Sequence, residues 1–196
     1  MKAVLASSNN GKLRELAAIL SPLGYELVTQ SSLGIDTPPE TGVTFAENAL
    51  LKARFAARLS GLPAIADDSG IEVDALGGRP GVFSARYSGE GATDAANVQK
   101  MLSELRGVPP ERRLARYRCV IAFARTGDDP SPLIANGTWE GHILDQPRGV
   151  GGFGYDPIFQ PAGLDVSAAE LSAAQKNARS HRGEALRELA RLLRKP

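Results

Sequence analysis

Two strand-like runs that follow one another with no helix between them constrain this chain most. "RLARYRCVIAFART", residues 113–126, reads as the best strand in the sequence, and "LIANGTWEGHIL", residues 133–144, reads as its neighbour. The intervening "GDDPSP" is turn chemistry. A fold that strictly alternates strands and helices does not contain such a pair. Other strands are read in "KAVLAS" and "YELVTQ", before the acids of "IADDSG", and in "IEVDAL". Helical spacing marks Leu13, Leu16, Ala17 and Leu20, then "FAENALLKARFAARLS", "AANVQKMLSELR" and the closing "GEALRELARLLRK". Thr44 with Glu47 and Ser167 with Glu170 form capping-box signatures, and Gly61 and Gly107 stop helices. The resulting expectation is an α/β chain with a mixed β-sheet and flanking helices, arranged as two lobes with a central cleft. No composition shift marks a linker, so residues 1–196 read as a single domain.

Bulk properties narrow the function. A formal net charge of +1 provides no general field for nucleic acid or a membrane surface. Cys119 is the single cysteine, which excludes an intramolecular disulfide and a cysteine-cluster metal site. It lies in "RCVIAFA" and reads as a buried structural thiol. Two histidines are too few for a His-rich metal site. No apolar run approaches membrane-spanning length and the N-terminus lacks the apolar stretch of a secretion signal, so the cytoplasm is the expected compartment.

Four segments carry candidate chemistry. "SSNNGK", Ser7, Ser8, Asn9, Asn10, Gly11 and Lys12, sits in a strand–loop–helix setting where backbone N–H groups and a lysine make an anion site. It is not a P-loop, since the required positions hold Ala6 and Leu13. An N-cap with a surface lysine is the bland alternative. In "IADDSG" the acids Asp67 and Asp68 are expected to end a strand, with Ser69 and Gly70 turning. Neighbouring side chains on a regular strand point to opposite faces, so both acids would share one ion only if the strand had bent. Glu40, a loop carboxylate, could complete a Mg²⁺ site. Glu47, Asn48 and Lys52 share one helix, with Asn48 and Lys52 as stacked neighbours, and their bland reading is a capping glutamate and a solvated lysine.

The third segment, "GGFGYDP", places Phe153, Gly154, Tyr155 and Asp156 on a glycine-rich loop. Its aromatics read either as a stacking platform for a base or as core residues. In the fourth, Ser180 caps the last helix and puts His181 and Arg182 in its first turn, where the macrodipole disfavours cations. A ligand or a neighbouring acid would explain that pair.

"SSNNGK", "PPETGVTFAENALLKA", "IADDSGIEVDALGGRPGVFSARYSG", "GGFGYDPIF" and "SHRGEAL" occur in the order and spacing of the inosine triphosphate pyrophosphatase, or Ham1-like, family. The chain resembles the bacterial dITP/XTP pyrophosphatase branch over nearly its whole length. The resemblance implies an elongated two-lobed fold, Mg²⁺ dependence, homodimers, and hydrolysis of ITP, dITP or XTP to the monophosphate and pyrophosphate. It makes "SSNNGK" the triphosphate loop, Asp68 the proton acceptor and metal-site acid, and Glu40 a second metal-site acid. It makes Ser69, "FGYD", Lys176, His181 and Arg182 nucleotide contacts. Gln175 departs from the acid that relatives often carry before the lysine. A non-catalytic nucleotide-binding protein, a stepwise phosphatase and a pyrimidine-nucleotide pyrophosphatase are the competing readings.

Overall fold

Six strands, β1 (Lys2–Leu5), β2 (Glu26–Thr29), β3 (Ala64–Val73), β4 (Leu114–Ala124), β5 (Leu133–Ile143) and β6 (Phe159–Pro161), form one sheet in the order β2-β1-β3-β4-β5-β6. It is mixed: β1 runs parallel to β2 and β3, and β6 runs antiparallel to β5. The helices are α1 (Asn10–Leu20), α2 (Phe45–Ser60), α3 (Asp94–Glu104), α4 (Ala173–Arg179) and α5 (His181–Leu193). The computed structural model describes residues 1–7 and 10–194, with the backbone alone for residues 10–12, 14 and 15. The sequence-based fold class is therefore borne out.

One expectation is overturned. The strand that starts at Ala64 does not end at Asp67 and Asp68, and no turn forms at Ser69-Gly70; β3 runs through all four residues to Val73. β3 lies inside the sheet between β1 and β4, with β1 paired to it at Ala64 and Ile65. A turn there would strand N–H and C=O groups away from water. Tertiary pairing outweighs the local turn preference of Asp-Ser-Gly. Two shorter elements also escape the sequence reading. β6 follows directly on a single turn of 3-10 helix at Asp156–Ile158, and a second capping box, Ser172 with Gln175, opens α4. The box at Ser167 and Glu170 exists but caps only the 3-10 turn Ala168–Glu170.

The chain divides into two compact units: residues 1–68, 119–137 and 184–196, and residues 69–118 and 138–183. In the first, Leu5, Leu16, Leu20, Ile65, Ile121 and Phe123 pack with Ala185, Leu186 and Leu189 of α5. Burying each large side chain of that set contributes about 1.5–3 kcal/mol. Alanines 49, 53, 56 and 57 form the buried face of α2, which packs against β1 at the close distance that small side chains permit. In the second unit, Ile71, Val73, Met101, Leu105, Trp139, Ile158 and Phe159 form the core. Cys119 is fully buried, as its apolar setting implied.

Candidate active site

In the first unit, α2 aims polar side chains at β3. Thr44 Oγ1 accepts from the Glu47 N–H at 3.1 Å, which starts the helix, while Glu47 Oε2 accepts from the Val43 N–H at 2.7 Å. The capping glutamate thus reaches one residue further back than a standard box. With the helix fixed this way, Asn48 and Lys52 fall one turn apart on its buried face. The Lys52 ammonium donates to Glu40 Oε1 at 2.7 Å and to Asp68 Oδ1 at 3.0 Å. Asn48 donates to the other oxygen of Asp68 at 3.3 Å, and its own carbonyl accepts from the Gly42 N–H at 2.8 Å. A Cβ on Gly42 would sit 2.7 Å from that same Asn48 oxygen, so the loop approaches α2 as only glycine allows.

Lys52 is therefore not a solvated surface lysine: it is buried between two carboxylates. Burial alone would lower its pKa, but the charges of Asp68 and Glu40 and their hydrogen bonds outweigh that and raise it, so it is an ammonium at neutral pH. Burial pushes the Asp68 carboxyl above its ordinary range; Lys52 opposes that shift, and the like charge of Glu40 adds to it. Such a carboxylate holds a proton more readily than a solvated aspartate. The cluster has two carboxylates against one ammonium, all oxygen donors, and a cation already seated between the acids. That composition fits Mg²⁺, which takes one or two carboxylates and fills its other positions with water and phosphate. No cluster of three or more acid, histidine or cysteine ligands occurs among the described residues.

In the second unit, the glycine-rich loop separates its two aromatics. Phe153 is 59% exposed, whereas Tyr155 is buried and its hydroxyl donates to the Ser84 carbonyl at 2.8 Å. The two readings of "FGYD" thus divide by residue: Phe153 is available as a platform and Tyr155 is a core anchor. Asp156 is 1% exposed and accepts from Lys176, with which it is ion-paired, and from the Phe153 N–H at 2.8 Å. Gly152 has φ +73°, and a Cβ there would overlap the Asp156 carboxylate, so this position requires glycine twice over.

Two cations lie over the Phe153 ring, Lys176 Nζ at 4.4 Å and Arg182 Cζ at 5.8 Å from its centroid. Arg182 Nη2 also donates to Ser69 Oγ at 3.4 Å. His181 stacks on Tyr117 with centroids 4.7 Å apart and planes 8° from parallel. Ser180 caps α5 by accepting from the Gly183 N–H at 3.2 Å, so the basic pair does stand in the first helical turn. Aromatic faces near His181 and Arg182 supply the favourable surroundings that the helix end does not.

The expected site residues are thus gathered into two groups: Glu40 and Asp68 in the first unit, and Ser69, Phe153, Gly154, Tyr155, Asp156, Lys176, His181 and Arg182 in the second. Ser7 follows β1 in a loop, and α1 starts at Asn10. Ser8 and Asn9, and the side chains of Asn10, Gly11 and Lys12, lie outside the described residues. Asn48 and Lys52 belong to the acid cluster, whereas the bland sequence reading of this helix was a capping glutamate and a solvated lysine. Their i, i+4 spacing on a helix facing "DDSG" was the available signal. Tyr117, in contact with both Asp156 and His181, had none.

The family model described as the Ham1 family matches residues 3–192. A dITP/XTP pyrophosphatase of Shigella flexneri is 56% identical over 193 residues, 98% of each chain. A Ham1 protein from Coxiella burnetii has the same fold, with a TM-score of 0.95 and 48% identity over 98% of both chains. A nucleoside-triphosphatase and dITP/XTP pyrophosphatase from Mycobacterium abscessus superposes with a TM-score of 0.83 at 44% identity, over 99% of this chain and 100% of the other. Matched from end to end in sequence and in fold, this chain belongs to the Ham1 family.

Proposed function

We propose that this protein hydrolyses non-canonical purine nucleoside triphosphates, ITP, dITP and XTP, to the nucleoside monophosphate and pyrophosphate. The observation that carries the reading is the partly buried Glu40–Lys52–Asp68 cluster, an acidic site with a cation already held between its carboxylates. Full-length relatives named dITP/XTP pyrophosphatase support the substrate class. On this reading residues 1–196 act as one domain.

Glu40 and Asp68 would hold Mg²⁺, which when bound offsets negative charge on the phosphate oxygens and on the departing pyrophosphate. Asp68 Oδ takes the proton of the water that attacks the α-phosphorus, and the buried environment that favours its protonated form assists that role. Lys52, held as an ammonium, steadies the carboxylate and balances charge. Lys12 and the backbone at the start of α1 hold the phosphate tail, as helix N-termini do. Phe153 stacks on the base, and Arg182, whose guanidinium can only donate, pairs with the 6-carbonyl of hypoxanthine or xanthine. Adenine offers an amino donor at that position and is rejected by mismatch.

A cytoplasmic homodimer belongs to the same reading on the strength of the family resemblance. A net charge of +1 supports the absence of a nucleic-acid partner. No helix among the described residues is long and apolar enough to cross a membrane. The test is a panel of nucleoside triphosphates assayed with Mg²⁺ and with chelator, with products identified. Pyrophosphate from ITP, dITP and XTP in Mg²⁺ alone is the expected result. Two orthophosphates per turnover would mark a stepwise phosphatase, and bound but intact nucleotide a binding protein.

A further inference from the structure

The glycine-rich loop bearing Phe153 is tied to helix α3 by one carboxylate. The Gly154 N–H donates to Asp94 Oδ2 at 2.6 Å, a bond between residues 60 apart in sequence. Bonds to other segments hold the loop as well: Phe153 N–H to Asp156 at 2.8 Å, Gly151 N–H to the Ala169 carbonyl at 3.1 Å, and Asp156 to Lys176 and Tyr117. One turn further along α3, Asn97 Oδ1 accepts from the Ser88 N–H at 2.8 Å and its amide donates to the Ala85 carbonyl at 3.1 Å. That segment includes Ser84, whose carbonyl receives the Tyr155 hydroxyl. Asp94 and Asn97 therefore use one face of α3 to steady Gly154 directly and Tyr155 through its partner.

Asp94 is exposed, and the helix does not depend on it for its cap, because Thr93 Oγ1 already accepts from the Ala96 N–H at 3.2 Å. Its carboxylate, a charged acceptor for the Gly154 N–H, serves the loop. Phe153 stands between two glycines in the left-handed region, Gly152 at φ +73° and Gly154 at φ +61°, and its ring is mostly outside the core. An aromatic so placed has many orientations available unless its flanking peptides are fixed. Freezing them on binding costs affinity, and a pre-formed tether removes that cost. We propose that Asp94 is a positioning residue for nucleotide binding: its carboxylate fixes the Gly154 peptide and so sets the angle at which Phe153 presents its ring. This rests on the reading of Phe153 as the base platform.

The test is steady-state kinetics on ITP with Asp94→Ala, Asp94→Asn, Phe153→Ala and the Asp94→Ala/Phe153→Ala double variant, each checked by thermal melting. Asp94→Ala should raise KM about tenfold, the order expected for one hydrogen bond to a charged group. Turnover number should stay within about twofold, because the tether acts on binding and not on the reacting phosphorus. Asp94→Asn keeps an oxygen acceptor and should recover most of the loss. In the Phe153→Ala background, removing Asp94 should add less than about twofold, the signature of two residues acting as one unit. An unchanged KM in Asp94→Ala alongside a raised KM in Phe153→Ala would overturn the role of Asp94 and leave the platform standing. An unchanged KM in Phe153→Ala would instead remove the platform itself. Equal effects of Asp94→Ala in both backgrounds, or no recovery in Asp94→Asn, would also overturn the proposal. Should Asp94→Ala melt too low to assay, Asp94→Ser removes the same reach and takes its place.

Discussion

Replacing Lys52 by Met removes the ammonium between Glu40 and Asp68 while keeping a flexible apolar stem of similar length. The side chains of Lys52 and Asp68 are 8% and 10% exposed and that of Glu40 is 27% exposed, so Asp68 would lose its counter-charge with little water to replace it. Removing one partner of a buried ion pair costs about 3–5 kcal/mol, and the partial hydration of Glu40 places this case at the low end, about 3 kcal/mol. That loss applies to protein in chelator. A divalent cation bound by the same two carboxylates supplies the missing charge, and a ligand present at 100 times its Kd stabilises by about 2.7 kcal/mol. Wild-type protein should gain less from Mg²⁺, because there the ion meets carboxylates already neutralised in part. Urea unfolding followed by circular dichroism, with chelator and with millimolar Mg²⁺, measures all four stabilities. The expected pattern is a gap of about 3 kcal/mol in chelator that shrinks below about 1 kcal/mol in Mg²⁺. A gap of equal size in both conditions would refute the assignment of Glu40 and Asp68 as the residues that hold the cation. No gap in chelator would refute the energetic role given to Lys52.

Asp68→Asn, which keeps the shape and removes the base, should lower turnover of ITP by at least about 100-fold; near-normal turnover would exclude Asp68 as proton acceptor. Arg182→Ala should erode the preference for ITP over ATP, read as the ratio of their kcat/KM values, and an unchanged ratio would remove Arg182 from base recognition. Burial, together with the Glu104 carboxylate 2.8 Å from the Tyr87 hydroxyl, pushes that phenol up to about 12. A group whose folded pKa exceeds its unfolded value stabilises the protein below the unfolded pKa, and that contribution is lost as pH rises through the folded one. Tyr87→Phe should therefore cost about 1 kcal/mol at neutral pH and lose stability less steeply than wild type between about pH 10 and 12. Parallel slopes in denaturant titrations across that range would contradict the assignment.

The fold class was legible because its evidence is periodic and repeated. The adjacent runs that became β4 and β5, the capped α2 and the amphipathic α5 each carry a pattern that tertiary contacts reinforce. "DDSG" was misread because turn chemistry is a local preference, while the continuity of β3 goes with its place between β1 and β4 in the sheet, which no local pattern reveals. The same limit hid β6, three residues long and paired with Gly141–Ile143 far earlier in the chain. In the site, burial decided between readings that the residue types left open. Lys52 looks identical in sequence whether it is solvated or wedged between acids, and Phe153 and Tyr155, two positions apart, separate into surface and core through contacts with Ser84 and Lys176. Gln175 departs from an expected acid without loss, because its side-chain oxygen accepts from the Ser172 N–H at 2.9 Å and completes the cap of α4.

Hydrolysis of ITP in ¹⁸O-enriched water, with Mg²⁺ present and the products separated for mass spectrometry, locates the phosphorus that water attacks. Label in the inosine monophosphate with unlabelled pyrophosphate is the expected result. Label in the pyrophosphate, or release of orthophosphate in its place, would contradict attack at the α-phosphorus and with it the role given to the Glu40–Lys52–Asp68 cluster.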